Sequence, residues 1–294
     1  MFNFQFSIYN LLMDHRPPVA LHVLRLLPLR IISRLAGWLA GRRLPSSVLQ
    51  PAIRWYVGHY GVNMEEADVP PGGYRTLGEF FVRPLKEGAR PLDPSPDGVI
   101  SPVDGRLVTA GTIEDGRLIQ AKGLDYSAAD LLGSPQAASP FQGGTFATIY
   151  LSPRDYHRIH APLAGRVTAV CHRRGRLLPV NDLSVPWVRD LFATNERIVV
   201  TMETDAGPAA VVMVGALNVG RIRLAFGCPP APGRADWDWT PDREIRLAKG
   251  SELGRFELGS TVILLFGKER IITDPLPIGS EVRIGSRLAK VVPR

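Results

Sequence analysis

From about Pro70 onward the sequence breaks into short β-branched and apolar runs cut by glycine and proline: GVISP, GRLVTAG, GGTFATIYL, GRVTAV, ERIVVTME, AAVVMVG and STVILLFG. Runs of this length are too short for packed helices and, bounded by turn residues, they read as strands joined by tight connections, mostly antiparallel. The fold class this predicts is α+β, mainly β. One helix is expected within this part, over Thr76–Leu85, because Thr76 stands three residues before Glu79 in the pattern of a capping box. A short motif recurs, P-x-x-G-R followed by Leu or Val, once in SPVDGRLV from Ser101 and once in APLAGRV from Ala161. It reads as a strand, a tight glycine turn and a strand, and it predicts a pseudo-symmetric antiparallel β body.

The first 65 residues differ in character. Between Val19 and Ala40 the chain is rich in Leu, Ile, Val and Trp, yet Arg25, Arg30, Arg34 and Pro28 interrupt it. A charge at the bilayer centre costs roughly 2.5–3.5 kcal/mol on insertion scales, so a spanning helix is disfavoured. An amphipathic helix lying in the interface fits better, with Leu and Trp in the headgroup boundary and Arg30, Arg34, Arg42 and Arg43 toward anionic lipid. The competing reading is an amphipathic helix packed on the core. The expected organisation is therefore an N-terminal helical membrane-association region over 1–65 and a β-rich catalytic domain over 66–294. The stretch lacks a small-residue cleavage site after a clean apolar run, so it is not expected to be a secretory signal, and the mature chain is expected to start near Met1.

Charge points the same way. The 35 Lys and Arg against 28 Asp and Glu leave a formal +7, which favours an anionic partner such as nucleic acid or an acidic lipid surface over an acidic protein surface. No nucleic-acid recognition motif accompanies it, so nucleic acid is not an expected partner. Cys171 and Cys228 have no C-x-x-C spacing, which argues against a disulfide framework and for a reducing compartment.

Three segments could carry chemistry. Tyr156-His157-Arg158-Ile159-His160 holds two of the six histidines directly after an apolar run, and histidine is the side chain best suited to move protons near neutral pH. A metal pair would need a further ligand, and apart from His172 no Cys or His lies at ligand spacing; no metal is expected. A turn or helical segment is expected there, because a strand would put His157 and His160 on opposite faces. Asp104-Gly105 lies between two β runs, where a hairpin turn is the ordinary reading and a carboxylate orienting a histidine the sharper one. In Phe256-Glu257-Leu258-Gly259-Ser260-Thr261 a serine precedes an apolar run, VILLF, that reads as a buried strand. Gly259 lacks Cβ and leaves its carbonyl open to attack by the neighbouring hydroxyl. Such an attack would convert the peptide bond to an ester, elimination would leave dehydroalanine, and hydrolysis would leave a ketoacyl group.

The segments SPVDG, YHRIHAPLAG and FELGSTVI, in this order, resemble the phosphatidylserine decarboxylases, whose self-cleavage site is an LGST motif. LGEFFVRPLKEGARPLD, LLPVNDLSVPWVRDLFATNERIVV and VVMVGALNVGRI extend the resemblance over roughly residues 65 to 275. The resemblance implies a self-cleavage triad of Asp104, His160 and Ser260. Cleavage would fall between Gly259 and Ser260, giving a large subunit 1–259 and a small subunit 260–294 that begins with a pyruvoyl group made from Ser260. It further implies that this covalent cofactor takes the substrate amine as a Schiff base, that His157 is the proton donor for decarboxylation, and that phosphatidylserine becomes phosphatidylethanolamine. The expected place is the cell membrane, peripheral, on the cytoplasmic side, and a homodimer is among the expected assemblies. Two rivals stand beside this reading. One is a relative acting on a soluble amino acid such as tryptophan; the other is a lipoyl-like carrier, for which Lys249, Lys268 and Lys290 lack the usual Met-Lys-Met context.

Overall fold

The computed structural model describes residues 28–121, 123–181, 184–217, 222–227, 235–256 and 260–292, without the side chains of Arg30, Arg34 and Ser260. The first part of the expected interfacial helix, with Arg25, and the residue Gly259 lie outside the described residues.

Helix α1 spans Leu29–Ala40 and begins directly after Pro28, a residue preset for a helix start because it has no N–H to leave unpaired. Helix α2, Ser46–Tyr60, ends at Gly61, whose φ of +69° lets its N–H reach back to the Val57 carbonyl. The third helix, α3, covers only Leu77–Phe81 of the expected Thr76–Leu85. The capping box forms at its start: Thr76 Oγ1 accepts from Glu79 N–H at 2.9 Å, and the Glu79 carboxylate accepts from Arg75 N–H at 2.7 Å. Pro84 stops it early, because the residues before a proline are pushed out of helical conformation. Leu49, Ile53, Val62, Tyr74 and Phe80 form a small core of their own around these helices.

Apart from short helical turns at Ala128–Leu132, Pro135–Ala138, Ser139–Phe141 and Leu191–Thr194, the regular structure that follows is β, in chain order β1 Gly98–Ile100, β2 Gly105–Thr112, β3 Arg117–Ala121, β4 Leu124–Ser127, β5 Thr145–Tyr150, β6 Arg158–His160, β7 Gly165–Arg173, β8 Arg197–Thr204, β9 Gly207–Gly215, β10 Ile222–Leu224, β11 Trp237–Trp239, β12 Arg246–Leu247, β13 Glu252–Phe256, β14 Ser260–Phe266, β15 Ile271–Thr273, β16 Glu281–Val282 and β17 Arg287–Val291. A nine-stranded antiparallel sheet runs β11-β7-β8-β9-β14-β5-β2-β16, with β12 also on β7; two three-stranded sheets, β1-β17-β15 and β10-β13-β6, and the β3-β4 hairpin complete it. The central strands β9 and β14 are buried on both faces, which is why their sequences are continuous apolar runs rather than alternating ones. The fold is α+β and mainly β, as expected.

The P-x-x-G-R echo is a two-fold feature of the backbone. Ile100 N–H donates to the Pro162 carbonyl and His160 N–H to the Pro102 carbonyl, so the two motifs exchange equivalent bonds. Ser101 sits between Gly285 and Ser286 as Ala161 sits between Gly250 and Ser251, each with the same pair of backbone bonds. The glycines that open β2 and β7 meet a neighbouring strand alike: a Cβ on Gly105 would lie 2.4 Å from the Tyr150 carbonyl oxygen, and one on Gly165 2.7 Å from that of Glu203. Asp104 therefore corresponds to Ala164, and His160 to Ile100. The halves share a scaffold and place their polar groups at different points of it.

This corrects the ordinary reading of Asp104-Gly105 as a hairpin turn. Strand β1 before it pairs with β17 and β2 after it with β5 and β16, so the two flanking runs belong to different sheets.

Candidate active site

The chain leaves β5 through a turn that Asp155 closes, its carboxylate accepting from Ser152 N–H (2.7 Å) and Oγ–H (2.8 Å). His157 follows this turn without regular structure of its own and leads into β6, where a strand, not the expected turn or helix, carries His160. His157 is fully buried, with its ring centroid 4.1 Å from that of Phe81. Its Nδ1 donates to the Asp155 carbonyl at 2.8 Å, which fixes the tautomer and leaves Nε2 as a lone pair without a partner among the described residues. Burial pushes its pKa down to about 3, aided by the nearby Arg83 charge and opposed by the Asp155 carbonyl.

His160 repeats this arrangement. Nδ1 donates to the Gly250 carbonyl at 2.7 Å and Nε2 is buried and unpaired. Its pKa is also lowered, chiefly by burial, while the Gly250 carbonyl and the charges of Glu252 and Asp104 pull it back up. Gly250 holds a φ of +80°, open to glycine, and a Cβ there would lie 2.4 Å from a Leu92 methyl. The residue that orients His160 is thus ninety positions away in sequence.

Asp104 lies close enough for its charge to act on His160, but its hydrogen bonds go elsewhere. Arg90 Nε donates to both carboxylate oxygens (3.0 and 3.1 Å), Arg90 Nη2 to Oδ2 (2.6 Å), and Ile284 N–H to Oδ1 (2.9 Å). Arg90 also holds Glu66 at 2.8 Å. The expected Asp104–His160 hydrogen bond is not made. Arg158, a tempting anion ligand from its place between the histidines, is paired with Glu252 at 2.9 Å and caps the Val82 carbonyl.

Ser260 opens β14 opposite Gly215 on β9, and Thr261, Tyr150 and Arg106 form one row across β14, β5 and β2. With strands about 4.8 Å apart, that row places the start of β14 roughly 10 Å from the start of β2, beside Asp104. On the other side Phe256 N–H donates to the His157 carbonyl at 3.0 Å, and four residues reach at most ~14 Å, so Ser260 is tethered near His157. The three segments singled out in the sequence therefore converge at one end of the sheet. A cavity of about 420 Å³ opens on the Asp104 side of this end, lined among others by Asp104, Arg90, Arg83 and Tyr156, and by Gly61 at the end of α2; neither His157 nor His160 lines it. Among the described residues no group of three His, Cys, Asp or Glu side chains could hold a metal ion.

Residues 77–290 match the family model described as phosphatidylserine decarboxylase, and residues 20–61 one described as PSD. The chain belongs to the phosphatidylserine decarboxylase family. Membership makes it a carboxy-lyase, an enzyme that releases carbon dioxide. It is 49% identical over 277 residues to a phosphatidylserine decarboxylase proenzyme of Anaeromyxobacter sp. (strain K), covering 90% of this chain and 95% of that one. It is 46% identical over 273 residues to the proenzyme of Azotobacter vinelandii, again 90% and 95%, and 46% over 252 residues to that of Stutzerimonas stutzeri, 83% and 84%. Around Asp104 and the two histidines, the parts played by Arg90, Arg83 and Gly250 were not read from the sequence: both arginines lie in the LGEFFVRPLKEGARPLD segment and Gly250 follows Lys249, with nothing local to mark the contacts they make.

Proposed function

We propose that this decarboxylase converts phosphatidylserine to phosphatidylethanolamine with a pyruvoyl group that it makes from its own Ser260 after cutting the Gly259–Ser260 bond. The observation that carries this reading is the pair of buried, unpartnered Nε2 atoms on His157 and His160, beside the strand that begins at Ser260. A ketoacyl group and an amine substrate would supply what those two nitrogens lack. Once formed, the group acts as an electron sink for loss of carbon dioxide from an amino acid amine.

The division of labour follows from the tautomers. His160, neutral and with Nδ1 committed to Gly250, offers Nε2 as the base that takes the Ser260 hydroxyl proton. Asp104 acts on it through its charge and is held in place by Arg90. His157 is also neutral, so its Nε2 must gain a proton before giving one. The substrate's ammonium must shed protons to become a nucleophile and is the natural source; His157 then returns the proton to the substrate carbon.

The division at 65/66 and the peripheral placement belong to the same proposal. No described helix is long and apolar enough to cross a membrane. Helices α1 and α2 leave Ile31, Leu35, Trp38, Leu39, Val48 and Trp55 more than half exposed, with the Arg42 guanidinium 4.1 Å above the Trp38 ring. Arginine beside exposed tryptophan and leucine suits an anionic interface, here the cytoplasmic face of the cell membrane. Gly61, where α2 ends, lines the cavity, which puts the cavity next to this helix, so that a headgroup would enter it while its acyl chains stay in lipid. Incubation with phosphatidylserine vesicles tests the reading: phosphatidylethanolamine should form with the wild-type chain and not with Ser260→Ala, and equal activity of the two would reject it.

A further inference from the structure

Arg83 is only 3% exposed, and among the described residues no carboxylate is hydrogen-bonded to it; Asp104 and Asp155 act on it through their charge from farther off. Nη2 donates to the carbonyl oxygens of Arg154 (3.0 Å) and Asp155 (3.5 Å), whereas Nε and Nη1 are buried with no hydrogen-bond partner. Arg90, Arg154 and Arg283, which line the same cavity, each hold a carboxylate. Arg83 holds no carboxylate in that way among the described residues; it has two backbone carbonyls and the face of Phe80, 5.5 Å from its guanidinium carbon. A guanidinium keeps its charge at any ordinary pH, and burying one without an anion is costly. Burial lowers its pKa, and the charges of Asp104 and Asp155 are among the groups that oppose this. The Asp155 carbonyl that accepts from Arg83 also accepts from His157 Nδ1, so the charge stands directly beside the proposed proton carrier.

We propose that Arg83 anchors the phosphodiester of the substrate headgroup, giving its unpaired N–H groups to phosphate oxygens. This rests on the reading of the cavity as a phosphatidylserine decarboxylase site. The substrate carries a second anion, its carboxylate, and the chemistry separates the two. The carboxylate loses its charge as carbon dioxide leaves, so a buried cation gripping it would stabilise the ground state against the transition state. The phosphodiester keeps its charge from substrate to product, and a cation can hold it throughout at no cost to the rate.

The test uses two soluble probes that carry no amine and so cannot condense with a ketone. Glycerophosphoglycerol presents a phosphodiester and 3-methoxypropanoate a carboxylate; binding to the purified full chain is read by calorimetry, independently of turnover. Arg83→Gln should weaken glycerophosphoglycerol by about tenfold or more, the loss expected for a charge-assisted hydrogen bond, and leave 3-methoxypropanoate unchanged. Arg83→Lys, which keeps the charge on a shorter stem, should show a smaller loss in the same direction and serves alone if the glutamine variant does not fold. Unchanged phosphodiester affinity in the folded variants overturns the proposal, as does a loss confined to the carboxylate probe. Failure of the underlying reading looks different: the wild-type chain would stay uncut by intact mass, whatever Arg83 binds.

Discussion

Arg90 grips Asp104 from one side with Nε and Nη2 while the Ile284 N–H holds it from the other, and the two side chains are only 11% and 10% exposed. Removing one partner of a pair this buried leaves an uncompensated charge and costs about 3–5 kcal/mol where no other partner takes over. Arg90→Leu in the uncuttable Ser260→Ala chain should therefore lower unfolding free energy by about 3 kcal/mol in urea titration. Asp104→Asn on top of it should cost much less than alone; additive losses would mean the pair is not coupled.

In the wild-type background Asp104→Asn should slow self-cleavage about tenfold if Asp104 belongs to the triad, because it removes one of the charges that, after the Gly250 carbonyl and Glu252, offset the burial that makes His160 a weak base. Cleavage at the normal rate in a time course followed on denaturing gels would remove Asp104 from the proposed triad.

The two histidines should separate cleanly. His160→Ala should stay uncut, whereas His157→Ala should be cut and inactive toward phosphatidylserine. If both variants remained uncut, the assignment of one histidine to maturation and the other to decarboxylation would be wrong.

Acid should unfold the protein partly through His157. Its folded pKa of about 3 lies below the unfolded value of 6.5, so between those values the unfolded chain binds more protons. Stability is then full above about pH 6.5 and falls as pH drops toward 3, by up to ~1.4 kcal/mol per unit for this group. His157→Leu should have a shallower acid limb in urea unfolding at pH 6, 5 and 4; an unchanged slope would show that another group sets it.

Much of this was legible in the chain because it is local. Thr76 and Glu79 announce a helix start within four residues, and the buried strand after Ser260 shows in an unbroken apolar run. The P-x-x-G-R echo gave away the two-fold scaffold because each glycine meets a neighbouring strand's carbonyl, where a side chain cannot fit. Other contacts have no local signature. Gly250 orients His160 from ninety residues away, and β1 pairs with β17 rather than β2, so a hairpin reading of Asp104-Gly105 that suits the local residues loses to a long-range pairing. Arg90 lies fourteen residues from Asp104, but only the folded chain brings them together.

Membrane binding should depend on the exposed aromatic residues of α1 and α2. Replacing Trp38 and Trp55 together by serine should reduce sedimentation with anionic vesicles by about tenfold per side chain, and high salt should weaken the wild type. Binding that is insensitive to both changes would place the membrane contact elsewhere.

The central claim is that the chain cuts itself before Ser260 and keeps the serine as a ketone. Intact mass of the purified protein under denaturing conditions tests this most directly. Two chains are predicted, 1–259 and 260–294, the smaller with a blocked amino terminus that reacts with a carbonyl reagent. A single chain that stays uncut on incubation would contradict the account.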